Sequence, residues 1–113
     1  MKTARDAALP FIEALRTCPP SRAQSRLLNT ADRDLGAVLF PLAADERELV
    51  YRIVGPAKAS RLRAEVERMA RVRLVPDTVS RIASHLIEHL AADRPLGPAS
   101  RYFRPRSADG RGD

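Results

Sequence analysis

Hydrophobic residues recur at steps of three and four along most of the chain, and this spacing predicts helices separated by short breaks. Shorter segments with this spacing predict helices at Asp32–Leu39 and Ala44–Val54. Strand-like alternation is rare, so we expect an all-α fold, a compact bundle of about five to six helices. The strongest pattern predicts a helix at residues 77–92, with apolar positions at Val79, Ile82, Ala83, Leu86, Ile87 and Leu90.

Prolines divide the beginning of the chain. Residues 3–17 are predicted to hold one helix or two short ones, because Pro10 breaks or kinks a helix that contains it. The Cys-Pro-Pro sequence at residues 18–20 ends this segment. Ser21 and Gln24 match a capping box, which predicts a second helix from Ser21 to about residue 30. Its inward side is expected at Ala23, Leu27 and Leu28.

The most highly charged stretch is residues 55–74, which is predicted to be one charged helix, opened by Gly55 and Pro56, that leads into a short extended turn. Opposite charges four residues apart add about 0.2–0.5 kcal/mol each, as for Arg61 with Glu65. Two interpretations stay open: a solvated amphipathic helix, or a helix that displays charge to a partner. Its apolar stripe is Ala59, Leu62, Val66 and Met69, and its charged positions are Lys58, Arg61, Arg63, Glu65, Glu67, Arg68 and Arg71.

The composition is that of a basic, soluble chain. Its 113 residues carry a formal net charge of +6, and the sequence pI is about 10.6. This balance permits nucleic-acid, anionic-membrane or acidic-protein partners and selects none of them. Prolines and arginines accumulate after residue 92. We therefore expect a helical lead-in at residues 1–19, a helical domain at residues 20–92 and a basic, disordered tail at residues 93–113.

The single cysteine, Cys18, excludes an internal disulfide and fits a reducing compartment. The basic residues at the amino terminus are not followed by the apolar run of a signal peptide. No stretch approaches the roughly 20 apolar residues of a membrane span. A cytoplasmic protein is expected, with association to a membrane-bound assembly left open.

No constellation of residues predicts an enzyme or a cofactor. His85 and His89 stand four apart, as metal ligands on one helix face do, but the segment HLIEH does not match the zinc-protease motif. They are interpreted as structural or surface histidines, and no metal site is predicted. The glycines are scattered, so no phosphate-binding loop is expected.

Two nucleic-acid hypotheses remain as alternatives. Residues 76–90 could form the recognition helix of a helix-turn-helix, with Arg81 and His85 exposed, although the preceding connection is long for that motif. The arginines of the tail could contact phosphates without sequence preference. We favour both hypotheses less than binding to a protein partner.

Several segments in order resemble the C-terminal domain of FliG, the flagellar motor switch protein. They are the SRAQSRLL segment at residues 21–28, DRDLGAVL at residues 32–39, the charged helix at residues 57–69 and ARVRL at residues 70–74, before a long final helix. The match spans residues 20–92. It implies an all-helical domain without enzymatic activity that presents a charged helix to a stator or rotor partner.

Compared position by position, the resemblance carries over two charges of the family's interaction face, Glu65 and Arg73. Lys58 is the candidate substitute for a third, since Ala57 occupies the aligned position. The implied location is the cytoplasmic face of the inner membrane, at the flagellar basal body. Two alternatives stay open: a small basic helical adaptor that kept the fold without the motor role, and a nucleic-acid-binding helical protein.

Overall fold

The computed structural model describes residues 2–92, and within this range the chain forms six helices and no strand. The helices are α1 (Ala4–Thr17), α2 (Pro20–Leu28), α3 (Asp32–Leu39), α4 (Ala44–Val54), α5 (Pro56–Met69) and α6 (Pro76–Ala91). The all-α prediction is confirmed, and the predicted bounds of α3 and α4 agree with the structure. The disorder predicted for residues 93–113 concerns a segment outside the described residues.

The most extensive contact between two of the described helices joins α1 to α6. Phe11 and Ile12 of α1 are fully buried, and Leu86 of α6 is 2% exposed. Complete burial of such a side chain contributes about 1.5–3 kcal/mol. The first helix therefore belongs to the same hydrophobic core as residues 20–92.

Pro10 lies inside α1 without ending it. Its ring is on the exposed side, while the next two residues, Phe11 and Ile12, are buried. Burial of these neighbours offsets the cost of about 3 kcal/mol that proline adds inside a helix.

The start of α1 is capped reciprocally. The N–H of Asp6 donates to Oγ1 of Thr3 at 3.0 Å, and the N–H of Thr3 donates to Oδ2 of Asp6 at 3.2 Å.

The second helix, α2, begins one residue earlier than predicted, at Pro20. Proline suits the first helical position, so Ser21 already lies within the helix and the predicted capping box does not form. Gln24 instead donates from Nε2 to the carbonyl of Ile53 on α4 at 3.1 Å. Leu28 was expected to face inward and is 47% exposed. The buried residues of α2 are Ala23, Arg26 and Leu27.

The last helix, α6, begins at Pro76, one residue before the predicted caps Asp77 and Thr78. Here too proline occupies the first helical position, and Val75 is the extended residue before it, with φ −93° and ψ 151°. The fifth and sixth helices are joined by residues 70–75, which we call the α5–α6 connection.

Candidate functional site

The outer face of α5 carries charge, but its ion pairs differ from those predicted. Arg61 does not pair with Glu65. Its Nε lies 3.0 Å from Oδ2 of Asp32 on α3. Arg63 reaches Oε2 of Glu48 on α4 at 3.4 Å. These arginines connect α5 to neighbouring helices, and exposed pairs of this kind contribute about 0–1 kcal/mol each.

Lys58 does not lie on the exposed face of α5, and this corrects the prediction that it presents its charge to a partner. The side chain is 5% exposed. Its Nζ donates to the carbonyl of Thr30 at 2.6 Å and lies 2.8 Å from Oδ1 of Asp32. A buried ammonium requires such partners, because an unpaired charge inside a protein is strongly unfavourable. Since Thr30 follows α2 and Asp32 begins α3, Lys58 fixes the turn between the two helices.

Asp32 forms two ion pairs, one with the buried side chain of Lys58 and one with the exposed side chain of Arg61. Burial raises the pKa of the Asp32 carboxyl, but the hydrogen bonds and charges of Lys58 and Arg61 outweigh it and hold the pKa below its usual value. The carboxylate is therefore ionised at neutral pH. This three-residue cluster attaches α3 to α5.

Glu65, the second predicted partner-binding residue, lies where α5 crosses α3. A Cβ added at Gly36 of α3 would stand 2.6 Å from Cβ of Glu65, closer than atoms in contact can approach. Only glycine therefore allows the two helices to meet here. The side chain of Glu65 is 15% exposed, and its Oε2 accepts a hydrogen bond from Nη1 of Arg68 at 2.9 Å. Glu65 thus contributes to helix packing, and little of its charge faces solvent.

Arg73, the third predicted residue, is exposed on the α5–α6 connection. Among the described residues, neither Arg71 nor Arg73 makes a side-chain hydrogen bond or ion pair. Beside them, Val72 and Val75 are 47% and 45% exposed, two of the three large exposed apolar side chains of the described chain. Leu74 packs against the core and anchors the segment. The structure therefore does not bring Lys58, Glu65 and Arg73 into one exposed face, because only Arg73 offers a solvent-facing charge.

A feature that the sequence reasoning missed is the pairing of Tyr51 on α4 with Arg63. The guanidinium carbon of Arg63 lies 4.4 Å from the centre of the Tyr51 ring, a cation–π contact. Burial raises the pKa of the Tyr51 hydroxyl, against the opposing charges of Arg47 and Arg63. An open cleft of about 320 Å³ borders this pair, lined by Ala44, Arg47, Glu48, Tyr51, Arg63, Val66 and Glu67.

The two histidines of α6 are buried, His85 at 8% and His89 at 3% exposure, and their rings stack with centroids 6.4 Å apart. Nε2 of His89 lies 3.0 Å from the carbonyl of Arg26, while Nε of Arg26 donates to the carbonyl of His89 at 3.0 Å. Burial and the charges of Arg26 and His85 lower the pKa of His89, although its hydrogen bond to Arg26 acts in the opposite direction. The buried guanidinium of Arg26 joins α2 to the carboxyl end of α6.

The structure bears on two further points of the sequence analysis, the helix-turn-helix hypothesis and a metal site. The helix-turn-helix hypothesis required both Arg81 and His85 to be exposed; Arg81 is exposed, but the ring of His85 is buried. Within residues 2–92, no group of three or more His, Cys, Asp and Glu side chains is placed to hold a metal ion.

Cys18 follows α1 as its C-terminal cap residue and is partly buried. It borders an open cleft of about 220 Å³ between the end of α1, the start of α2 and α6. The described part of the chain contains no helix long and apolar enough to cross a membrane.

Comparisons of the chain with protein-family models, with curated proteins and with solved structures gave no match.

Proposed function

We propose that this chain is a non-enzymatic protein–protein interaction domain whose binding surface is centred on the α5–α6 connection. The observation that carries the proposal is the composition of that connection. Two exposed arginines, Arg71 and Arg73, stand beside two exposed valines, Val72 and Val75. Arginine beside exposed apolar side chains is typical of residues that become buried at protein interfaces.

The ion pairs made by α5 also favour a binding surface at the α5–α6 connection. The cations of α5 at positions 58, 61, 63 and 68 are engaged by Asp32, Glu48 and Glu65. Arg71 and Arg73 have no such partners among the described residues, so their charge is available to an acidic partner. Binding through exposed charges sets orientation and association rate, and it weakens as salt screens the charges.

The resemblance to the FliG C-terminal domain suggests the class of partner to test first, the cytoplasmic loop of a flagellar stator subunit. Under this proposal Arg73 is the contact residue, and the protein works at the cytoplasmic face of the inner membrane, on the flagellar basal body. Glu65 contributes indirectly by holding α5 against α3. Lys58 contributes through the fold alone.

The test is a binding titration between a stator cytoplasmic loop and three forms of the protein: wild type, Arg73→Asp and Arg81→Asp. Arg81 is the matched control, an exposed arginine on α6 that makes no side-chain hydrogen bond or ion pair with another described residue. Reversal at Arg73 should weaken binding about three- to tenfold, and reversal at Arg81 should leave it unchanged. Equal binding by all three forms would remove the proposed surface.

We propose as a second possibility that the chain is a small basic helical adaptor, which keeps the fold but has no role in the motor. It is favoured by the internal use of Lys58 and Glu65, which leaves one of the three carried-over charges facing solvent. In a flagellated host, deletion of the gene separates the two. Normal motility and switching support the adaptor, whereas loss of either supports the motor role.

A further inference from the structure

The α5–α6 connection offers backbone groups that are not used within the described residues. The N–H groups of Arg73, Leu74 and Val75 donate no hydrogen bond there, and the carbonyls of Val72, Arg73 and Leu74 accept none. The connection is bounded on both sides by satisfied groups. The N–H of Val72 donates to the carbonyl of Met69 at 3.0 Å, and the carbonyl of Val75 accepts from α6. Backbone groups at exposed residues are left to water and are free to exchange it for another chain.

The last part of this segment is extended, although it forms no strand within the described residues. Val75 is extended, and residues 73–75 lie outside any helix or turn. Side chains alternate as in a strand, since Arg73 and Val75 are exposed while Leu74 between them is partly buried against the core. The anchor at Leu74 holds the backbone in place, so a partner meets a segment that is already ordered.

We propose that the α5–α6 connection binds an extended, acidic segment of a partner protein as an added strand. This inference rests on the proposed function and names the form of the partner. Main-chain hydrogen bonds to Arg73 and Val75, whose N–H and C=O groups point to the same edge of an extended segment, would supply the pairing, as in strand addition. Acidic side chains of the partner would lie opposite Arg71 and Arg73, which share a face of the extended segment with Val75.

Charge selects an acidic partner over a second copy of this chain. A copy paired through the same segment would bring two further arginines beside Arg71 and Arg73. Like charges across a strand pair are unfavourable, whereas opposite charges across it add to the pairing. The connection bears no carboxylate, since none of residues 70–75 is Asp or Glu.

The first experiment uses a defined probe, the hexapeptide Glu-Val-Glu-Val-Glu-Val with blocked ends, titrated into the full chain while backbone amide signals are followed by NMR. The amide protons of Arg73 and Val75 should shift downfield, as expected for new hydrogen bonds, and that of Leu74, which points to the opposite edge, should shift less. The matched peptide Lys-Val-Lys-Val-Lys-Val should bind about tenfold more weakly, because its charges repel the two arginines. A Glu-Val peptide N-methylated at alternate residues along its pairing edge should lose binding.

The second experiment compares Val75→Pro with Val75→Ala. Both remove the exposed side chain, but only proline also removes the N–H, which makes no hydrogen bond in the free protein. The Glu-Val peptide should bind Val75→Pro about fivefold more weakly than Val75→Ala, the effect of one lost hydrogen bond. Circular dichroism of both variants establishes that the helices are retained.

The outcomes separate this inference from the proposed function. Equal binding of the Glu-Val and Lys-Val peptides, or of the methylated and unmethylated peptides, overturns strand addition. Equal binding by Val75→Pro and Val75→Ala does the same. If the stator loop nevertheless loses affinity for Arg73→Asp, the surface stands and its partner binds in another conformation. If Arg73→Asp has no effect either, the proposed function fails as well.

Discussion

The close approach of α3 to α5 predicts that Gly36→Ala destabilises the fold, although alanine is the better helix former. Replacing glycine by alanine inside a helix is worth about 0.5–1 kcal/mol in favour of the helix. At this position the new Cβ would lie 2.6 Å from Cβ of Glu65 and 3.4 Å from its carbonyl carbon. Because both Cβ atoms are fixed to helix backbones, no side-chain rotation relieves the contact.

The magnitude follows from the distance the helices must move. An ordinary contact between such carbon atoms is about 3.5–4.0 Å, so α3 and α5 would separate by roughly 1 Å along this line. Overpacking of a core costs about 1–3 kcal/mol. After subtraction of the gain in helix propensity, we expect Gly36→Ala to lower the free energy of unfolding by roughly 1 kcal/mol, and by about 2.5 kcal/mol at most.

Urea unfolding monitored by circular dichroism measures this change, and a double-mutant cycle with Glu65→Gly locates it. Glu65→Gly removes the opposing Cβ, so the double variant should be less destabilised than the sum of the two single changes by about 1 kcal/mol or more. If Gly36→Ala instead raises the free energy of unfolding by the propensity gain, and the two changes add, the close contact between the helices does not exist.

Three further predictions concern single residues. Lys58→Met should lower the free energy of unfolding by roughly 1–3 kcal/mol in urea titrations, since the carbonyl of Thr30 loses its donor; an unchanged value would contradict the buried contact. Folding favours the neutral ring of His89, because burial in the folded protein lowers its pKa. The stability that this ring contributes is therefore complete above the unfolded pKa of about 6.5, and it is lost as the pH falls from there toward the folded pKa. Urea midpoints should therefore drop between about pH 7 and pH 5 in the wild type, and less so in His89→Gln. Pro10→Ala should raise the melting temperature, because the restored N–H can donate to the carbonyl of Asp6 and the free energy of unfolding rises by about 1–3 kcal/mol. A lower melting temperature would mean that the proline ring stabilises α1.

The parts of the fold that the sequence predicts well are those decided by neighbours along the chain. The bounds of α3 and α4 follow from apolar spacing, and Pro41 and Gly55 punctuate them locally. The start of α2 was missed because Pro20 was interpreted as a barrier to the helix and not as its first residue. For residues 3–17 one helix or two stayed open, and tertiary burial of Phe11 and Ile12 decides that α1 continues past Pro10.

The candidate site was harder to predict because its contacts join distant parts of the chain. Lys58 binds Thr30 and Asp32, and the partners of Arg61 and Arg63 lie on other helices, whereas pairs four apart were the pattern visible in the sequence. A signal for Lys58 was nevertheless present. It stands four residues before Leu62 and next to Ala59, so helical geometry places it beside the apolar stripe, where a charge has to find a partner.

Gly36 illustrates the same limit. From the sequence alone a glycine in α3 only weakens the helix, and nothing local shows that a second helix passes within contact distance. Arg73 lies in the short alternating segment Val72–Val75, outside any helical pattern, and its side chain is exposed in the structure. Its role in binding stays a prediction.

Hydrogen–deuterium exchange of the full chain, with and without a stator cytoplasmic loop at saturating concentration, tests the central claim most directly. In the free protein the amides of Arg73, Leu74 and Val75 should exchange rapidly, because they donate no hydrogen bond among the described residues. With the partner bound, protection should appear at residues 71–75, and the exchange of Lys58 should stay unchanged. Protection confined to other helices, or none at any concentration, would contradict an interaction surface at the α5–α6 connection.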